Sequence, residues 1–289
     1  MAASSYPDLD RPPLVVRDLE HDVVQPGGLW RRVDLRAQTD STNADAGTAA
    51  RAGEPEGLVV VADLQRAGRG RRDRHWVSPP RAGLTFSLLL RPGVADPARG
   101  WDAVPNRAYS WLPLLAGVSL LTAVTRLTGL DAALKWPNDL LIRRHGTEHK
   151  CAGILAEAVA GSPPAVVLGI GLNVTTRADE LPDTGGLPAT SLQLAGAAVT
   201  DRDALLRATL RAFADGYGRW RAVGGDAQRC GLLDEYRQGC ATIGRRVRVQ
   251  VPDGVVAGEA ATVDAAGRLV VAAPDGERRV AAGDVVHVR

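Results

Sequence analysis

The chain has 289 residues, 45% of them hydrophobic and 24% charged, with a formal net charge of +2. That length accommodates one large domain and a small one, and the near-neutral balance excludes a molecule that binds nucleic acid through its overall charge. Three irregularly spaced cysteines (Cys151, Cys230, Cys240) exclude a disulfide framework, and neither a signal peptide nor an uninterrupted membrane-spanning apolar run is visible, so a cytoplasmic protein is expected.

Residues 1–29 are rich in Asp and Pro around short apolar patches, and a partly ordered N-terminal arm is expected there, with no helix-turn-helix. From Trp30 the pattern firms up. Ser41 or Thr42 is placed to cap a helix through Asn43 to Ala52, closed by Gly53. Leu58 to Ala62 reads as a short buried strand that delivers Asp63, Leu64 and Gln65, and Leu84 to Leu90 as a second. Ala108 to Leu127 is the clearest helix, apolar on most faces and so expected in the core. Leu134 to Trp136 is extended, since Pro137 disfavours helix just before it. Leu140 to Arg143 is the next strand, Arg144 to His149 a polar hairpin tip, and Ala152 to Val159 and Ala165 to Val174 two further strands. Asp201 caps an amphipathic helix reaching Arg221, and a shorter helix spans Ala227 to Gln238. After Gly239 short β runs (Val247–Val251, Gly258–Val263, Leu269–Ala273, Val285–Val288) alternate with turn signals, which describes a small β-barrel with its boundary near residue 240.

The stretch Gly68 to Pro79 (GRGRRDRHWVSP) concentrates the chemistry. Glycines allow a backbone to approach a ligand closely, arginine forks bind phosphate or carboxylate oxygens in a fixed plane, and Trp76 can stack on a flat ring. A nucleotide is the natural candidate. Arginine is the default cation of this chain, because Lys135 and Lys150 are its only lysines. Neither is followed by Ser or Thr, which excludes a phosphate loop of the Gly-Lys-Ser/Thr type. Asp73 stands where a dinucleotide fingerprint needs its third glycine, and Gly169-Ile170-Gly171 also fails that test. Lys135-Trp136-Pro137-Asn138-Asp139 packs cation, aromatic, turn, amide and carboxylate together, although Pro-Asn-Asp alone is ordinary turn chemistry. Lys150 stands at the mouth of a buried strand, a place that also suits an edge-strand solubiliser. His145, His149 and Cys151 have spacings usable by a metal, but no fourth ligand is evident and polar hairpin tips are common.

Taken in order, STN, Q-x4-RGR, W-x-SP, KWPND, K-x-AGIL-x-E, G-x-G-x-N and a terminal β-barrel resemble the bacterial biotin protein ligases over about residues 30–289. The resemblance implies an α+β fold: a mixed β-sheet with flanking helices, related to class II aminoacyl-tRNA synthetases, over residues 30–239, and an SH3-like domain over 240–289. It implies that biotin and ATP form biotinyl-5′-AMP, whose acyl group passes to a lysine on a biotin carboxyl carrier domain of an acyl-CoA carboxylase. It puts biotin against Ser41, Thr42, Asn43, Gln65 and the loop residues Arg69, Gly70 and Arg71, and puts Lys150 on the reacting carboxylate and phosphate. Arg69, Arg71 and Lys150 are thereby the catalytic cations. Arg71, Arg72, Arg74, Trp76, Lys135, Asn138, Asp139 and Asn173 serve the nucleotide, with Mg²⁺ arriving on ATP and no metal cage made of protein alone. Asp73 replaces the glycine usual in the family, and without a helix-turn-helix no DNA binding is expected. Two other readings are a lipoate- or octanoate-type acyl ligase and, from a different class, a nucleic-acid-binding protein using the arginine run.

Overall fold

The computed structural model describes residues 11–72, 74–144, 146–183, 186–252 and 254–288. Seven strands form the larger sheet: β1 (Arg32–Arg36), β2 (Leu58–Ala62), β3 (Gly83–Leu90), β4 (Ala132–Lys135), β5 (Asp139–Arg144), β6 (Thr147–Val159) and β7 (Ala165–Asn173), in the order β1-β2-β3-β7-β6-β5-β4. Only β1 and β2 are parallel. A parallel pair needs a crossover, here supplied by α2 (Thr42–Arg51). Strand β2 is buried on both faces, so its five apolar letters run without a break. Leu58 and Val60 meet Ala46 and Ala50 of α2, whereas Val59 and Val61 join the main core on the opposite face. That opposite face carries α1 (Val16–Val23), α3 (Trp111–Thr128), α4 (Arg202–Ala222) and α5 (Leu232–Gly239).

Departures from the sequence expectation have local causes. The core helix starts at Trp111, which leaves Pro113 inside its first turn, where a missing N–H costs nothing. With its preceding turn, Asn106–Thr128 is long and apolar enough to cross a membrane, which corrects the expectation that no such segment exists; its apolar window is more than half buried inside the protein. Helix α5 begins only at Leu232, because Gly231 adopts φ 82° and interrupts any helix coming from Ala227. The hairpin tip is shorter than expected, since β6 already starts at Thr147 and takes in His149 and Lys150. The described part of the expected arm carries α1, whose Leu19 and Val23 are in the core and whose Glu20 carboxylate accepts the Val33 N–H at 3.1 Å.

The second sheet is antiparallel and comprises β8 (Arg246–Val251), β9 (Gly254–Val263), β10 (Leu269–Ala273), β11 (Gly276–Val280) and β12 (Asp284–His287), in the order β11-β10-β9-β8-β12. Its β9–β10 turn seats on the larger sheet's helical face: the indole N–H of Trp111 donates to the Ala265 carbonyl at 2.7 Å, and that of Trp136 to the Gly267 carbonyl at 3.1 Å. Farther along the seam, Glu148 of β6 accepts from Arg245 at 2.7 Å and lies 3.4 Å from His287 of β12.

Two measurements check this seam. Trp111→Phe leaves the Ala265 carbonyl without its donor and is expected to cost about 2 kcal/mol in urea unfolding. Burial first, then the nearby Lys135 charge, push His287 down to about 4, with Arg245 acting the same way and Glu148 opposing. The unfolded chain takes up that proton near pH 6.5 while the folded chain stays neutral, so stability is fully present above that pH and falls as pH drops toward 4. The fall in urea midpoint from about pH 7 to about pH 5 is therefore expected to be smaller in His287→Gln than in the parent.

Candidate active site

The first turn of α2 points into a cleft of about 1330 Å³ on the α2 face of the larger sheet. Ser41 is the N-cap, with its hydroxyl accepting from the Ala44 N–H. Gln65 Oε1, just beyond β2, accepts from the Thr42 N–H at 2.8 Å and its hydroxyl at 3.1 Å. Ser87 of β3 donates to Thr42 Oγ1 or Asn43 Oδ1, at 2.7 and 2.6 Å. Asn43 in turn donates to Glu157 at 2.6 Å. This hydrogen-bonding end is locked before any ligand arrives, with the first N–H groups of α2 held by Gln65 and Ser41 and the Glu157 carboxylate behind Asn43.

Gly153 and Gly171 are register partners on β6 and β7, and Gly169 shares a face with Gly171. A methyl on Gly171 would overlap the Trp76 indole, and one on Gly169 would overlap the Asn43 amide. The bare backbone is thus what admits both groups. Trp76 closes the arginine loop: its N–H donates to the Gly68 carbonyl at 2.9 Å, while Arg69 and His75 form a bridge. Inside the loop, Arg71 donates to Asn138 Oδ1 at 3.0 Å and Arg69 pairs with Glu157 at 2.9 Å. Asn138 is itself fixed by donating to the Ile154 carbonyl at 3.0 Å.

Both lysines converge on one carboxylate. Lys150 Nζ lies 2.7 Å from Asp139 and Lys135 Nζ 3.9 Å from it. Lys135 and Asp139 face each other across β4 and β5. Lys150 arrives by a β-bulge: Leu140 pairs with Ala152 and Leu141 with Lys150, which leaves Cys151 as the extra residue. Cys151 and Ala152 consequently both face the core, and Lys150 and Gly153, three apart, share the cleft side. Burial lowers the pKa of Lys135, Asp139 opposes that, and the neighbouring Lys150, Arg74 and Arg71 charges reinforce it. Arg71 is lowered by burial and by Arg72. These are the marks of crowded cations prepared for an anion.

Of the residues singled out from sequence, Ser41, Thr42, Asn43, Gln65, Arg69, Gly70, Arg71, Arg74, Trp76, Lys135, Asn138, Asp139, Lys150 and Asn173 all line this cleft. Asn173 is buried and gives its amide to the Thr190 carbonyl at 3.0 Å, so it shapes the wall beside Lys150, whose N–H donates to the Pro188 carbonyl. Arg72 turns away from the lining toward the smaller sheet, donating to the Gln250 carbonyl at 2.7 Å. Asp73 and His145 lie outside the described residues. Cys151 is fully buried with its thiol on the Asn173 carbonyl, and among the described residues no three His, Cys, Asp or Glu side chains converge. Sequence reasoning missed Ser87, an ordinary serine in an apolar strand, and the β12 residues that wall the cleft. Glu157 stood in a quoted motif without a role.

Residues 36–173 match the Biotin/lipoate A/B protein ligase family and residues 242–288 the Biotin protein ligase C terminal domain, the SH3-like unit. The chain is 41% identical to the biotin--[acetyl-CoA-carboxylase] ligase of Mycobacterium tuberculosis over 285 residues, 96% of this chain and 97% of that one. It is 31% identical to the enzyme of the same description from Paracoccus denitrificans, over 87% of this chain and 98% of that one. The biotin protein ligase from Aquifex aeolicus in complex with biotin and ATP has the same fold, with TM-score 0.69 and 25% identity across 90% of this chain and 100% of that one. With fold, cleft and sequence agreeing across both sheets, the chain belongs to the biotin protein ligase family.

Proposed function

We propose that this chain joins biotin to ATP, giving biotinyl-5′-AMP and pyrophosphate, and then passes the biotinyl group to a lysine of a biotin carboxyl carrier domain. The observation that carries this is the convergence of Arg71, Lys135 and Lys150 on Asn138 and Asp139 in a cleft whose other end, at Ser41, Thr42, Asn43 and Gln65, is hydrogen-bonding, with Arg69 and Arg74 also on its lining. In the first step a biotin carboxylate oxygen attacks the α-phosphorus, and the bond to the pyrophosphate oxygen breaks. The two reactants are anions; a unit charge pair 4 Å apart is worth about 4 kcal/mol at an effective dielectric near 20. Convergent cations offset that repulsion, and placing the two groups in contact supplies much of the remaining acceleration. In the second step the carrier amine attacks the acyl carbon, AMP departs with the bonding electrons, and the amine loses its proton.

Lys150 is assigned to the reacting carboxylate and phosphate, with Arg69 and Arg71 as its partners. Asp139 keeps Lys150 aimed until an incoming oxygen competes for it. Ser41, Thr42, Asn43 and Gln65 suit the polar, uncharged ureido ring, and Gly70 lets the loop pass close over the ligand. Arg74, Lys135, Asn138 and Asn173 are assigned to the nucleotide side, with Trp76 on the glycine floor. Mg²⁺ would enter on the triphosphate and would supply charge neutralisation there; Asp139 and Asn138 would have to exchange Lys150, Lys135 and Arg71 for the ion to take a protein oxygen. The cytoplasm is the compartment this reading requires, with neither DNA nor membrane as a partner. The loop arginines turn to Asn138, Glu157 and Asp284, which speaks against their service as a nucleic-acid surface.

Incubation with biotin, labelled ATP and a carrier domain is expected to yield labelled adenylate and then biotin on one carrier lysine; absence of both products overturns the reading. Lys150→Ala is expected to abolish pyrophosphate release while keeping the parent's melting curve, since Asp139 retains Lys135. Trypsin cleavage within residues 66–76 is expected to slow when biotin is added, as a charged glycine-rich loop orders over its ligand; equal rates would show that the loop does not respond.

A further inference from the structure

The arginine loop has two faces. Arg69 and Arg71 turn inward to Glu157 and Asn138 of the larger sheet. Arg72 and Arg74 turn outward to the smaller one: Arg74 is ion-paired with Asp284, and Arg72 donates to the Gln250 carbonyl at 2.7 Å and lies 3.9 Å from Asp284. Gln250 and Asp284 are register partners on β8 and β12, so the loop is gripped at one rung of that sheet. Arg72 sits at φ 54°, a left-handed conformation that costs a residue with a side chain about 1 kcal/mol or more. That bend brings two arginines, two positions apart, to a single post.

We propose that Asp284 is a positioning residue for adenylate formation: the smaller domain holds the outer half of the loop over the nucleotide side of the cleft and thereby sets how tightly ATP is bound. The inference rests on the reading of the cleft given under Proposed function. Loop ends that wander dilute their own guanidinium groups at the phosphates, and a tether raises their effective concentration there. A guanidinium has five donors, so Arg74 can keep Asp284 while it offers others to a phosphate. Both sides of the pair are partly exposed, 58% for Arg74 and 37% for Asp284, which sets a modest, salt-sensitive scale.

The test uses the full chain and pyrophosphate release with ATP varied at saturating biotin. Asp284→Asn is expected to raise the KM for ATP about fivefold, the scale of one exposed ion pair, with kcat at saturating ATP and biotin unchanged. Asp284→Glu is expected to restore the KM, and added salt to narrow the gap between parent and Asp284→Asn. Trypsin is expected to cut the unliganded loop faster in Asp284→Asn than in the parent. An ATP KM in Asp284→Asn equal to or below the parent's overturns the proposal, a lower value meaning that the carboxylate competes with the phosphates. A parent that releases no pyrophosphate defeats the underlying reading instead, so the two failures are distinct.

Discussion

A single carboxylate set between two ammonium groups organises this protein. Asp139 lies at the start of the strand flanked by those bearing Lys135 and Lys150, and each lysine reaches it from a different side. A lone buried ammonium would shed its proton to escape desolvation. Here the shared counter-ion opposes that loss at Lys135. The price of crowding positive charge is thus met inside the sheet, and the cleft above can stay cationic without a bound ligand. Asn138, one residue earlier, aims Arg71 at the same place.

The rest of the site is arranged by absence of side chains as much as by their presence. Gly153, Gly169 and Gly171 clear a strip of sheet, and an indole and an amide rest directly on the backbone there. The strip separates a hydrogen-bonding end built on the first turn of α2 from the end where Lys135 and Lys150 meet Asp139. A molecule with an uncharged polar ring at one end and a carboxylate at the other would span them. The smaller domain adds the outer wall, with β12 facing the loop.

Much of this was legible in the sequence because the signals are local. Leu58 to Ala62 could hardly be anything but a buried strand, and Ser41, Gly53 and Asp201 punctuate helices as capping chemistry requires. Nearly every residue that the dispersed motifs singled out likewise lines the cleft. The rest depended on pairing partners that no window of sequence contains. Strands β1 and β11 escaped notice because edge strands carry charge where buried ones carry apolar letters. Asp284 looked like one more turn residue after Ala281-Ala282-Gly283, and Arg72 looked like one more phosphate ligand. Only the register of β8 with β12 brings them together.

The unpaired residue at Cys151 reverses the facing of everything before it in β6 relative to everything after it. Were the strand regular, the hairpin half that bears Glu148 and Lys150 would rotate by half a turn. The ammonium would enter the apolar interior, and the carboxylate that meets Arg245 and His287 would leave the domain seam. One irregularity in a ladder therefore turns an ammonium group into the cleft and fastens two folding units in the same stroke, so cleft and assembly here share a common mechanical origin.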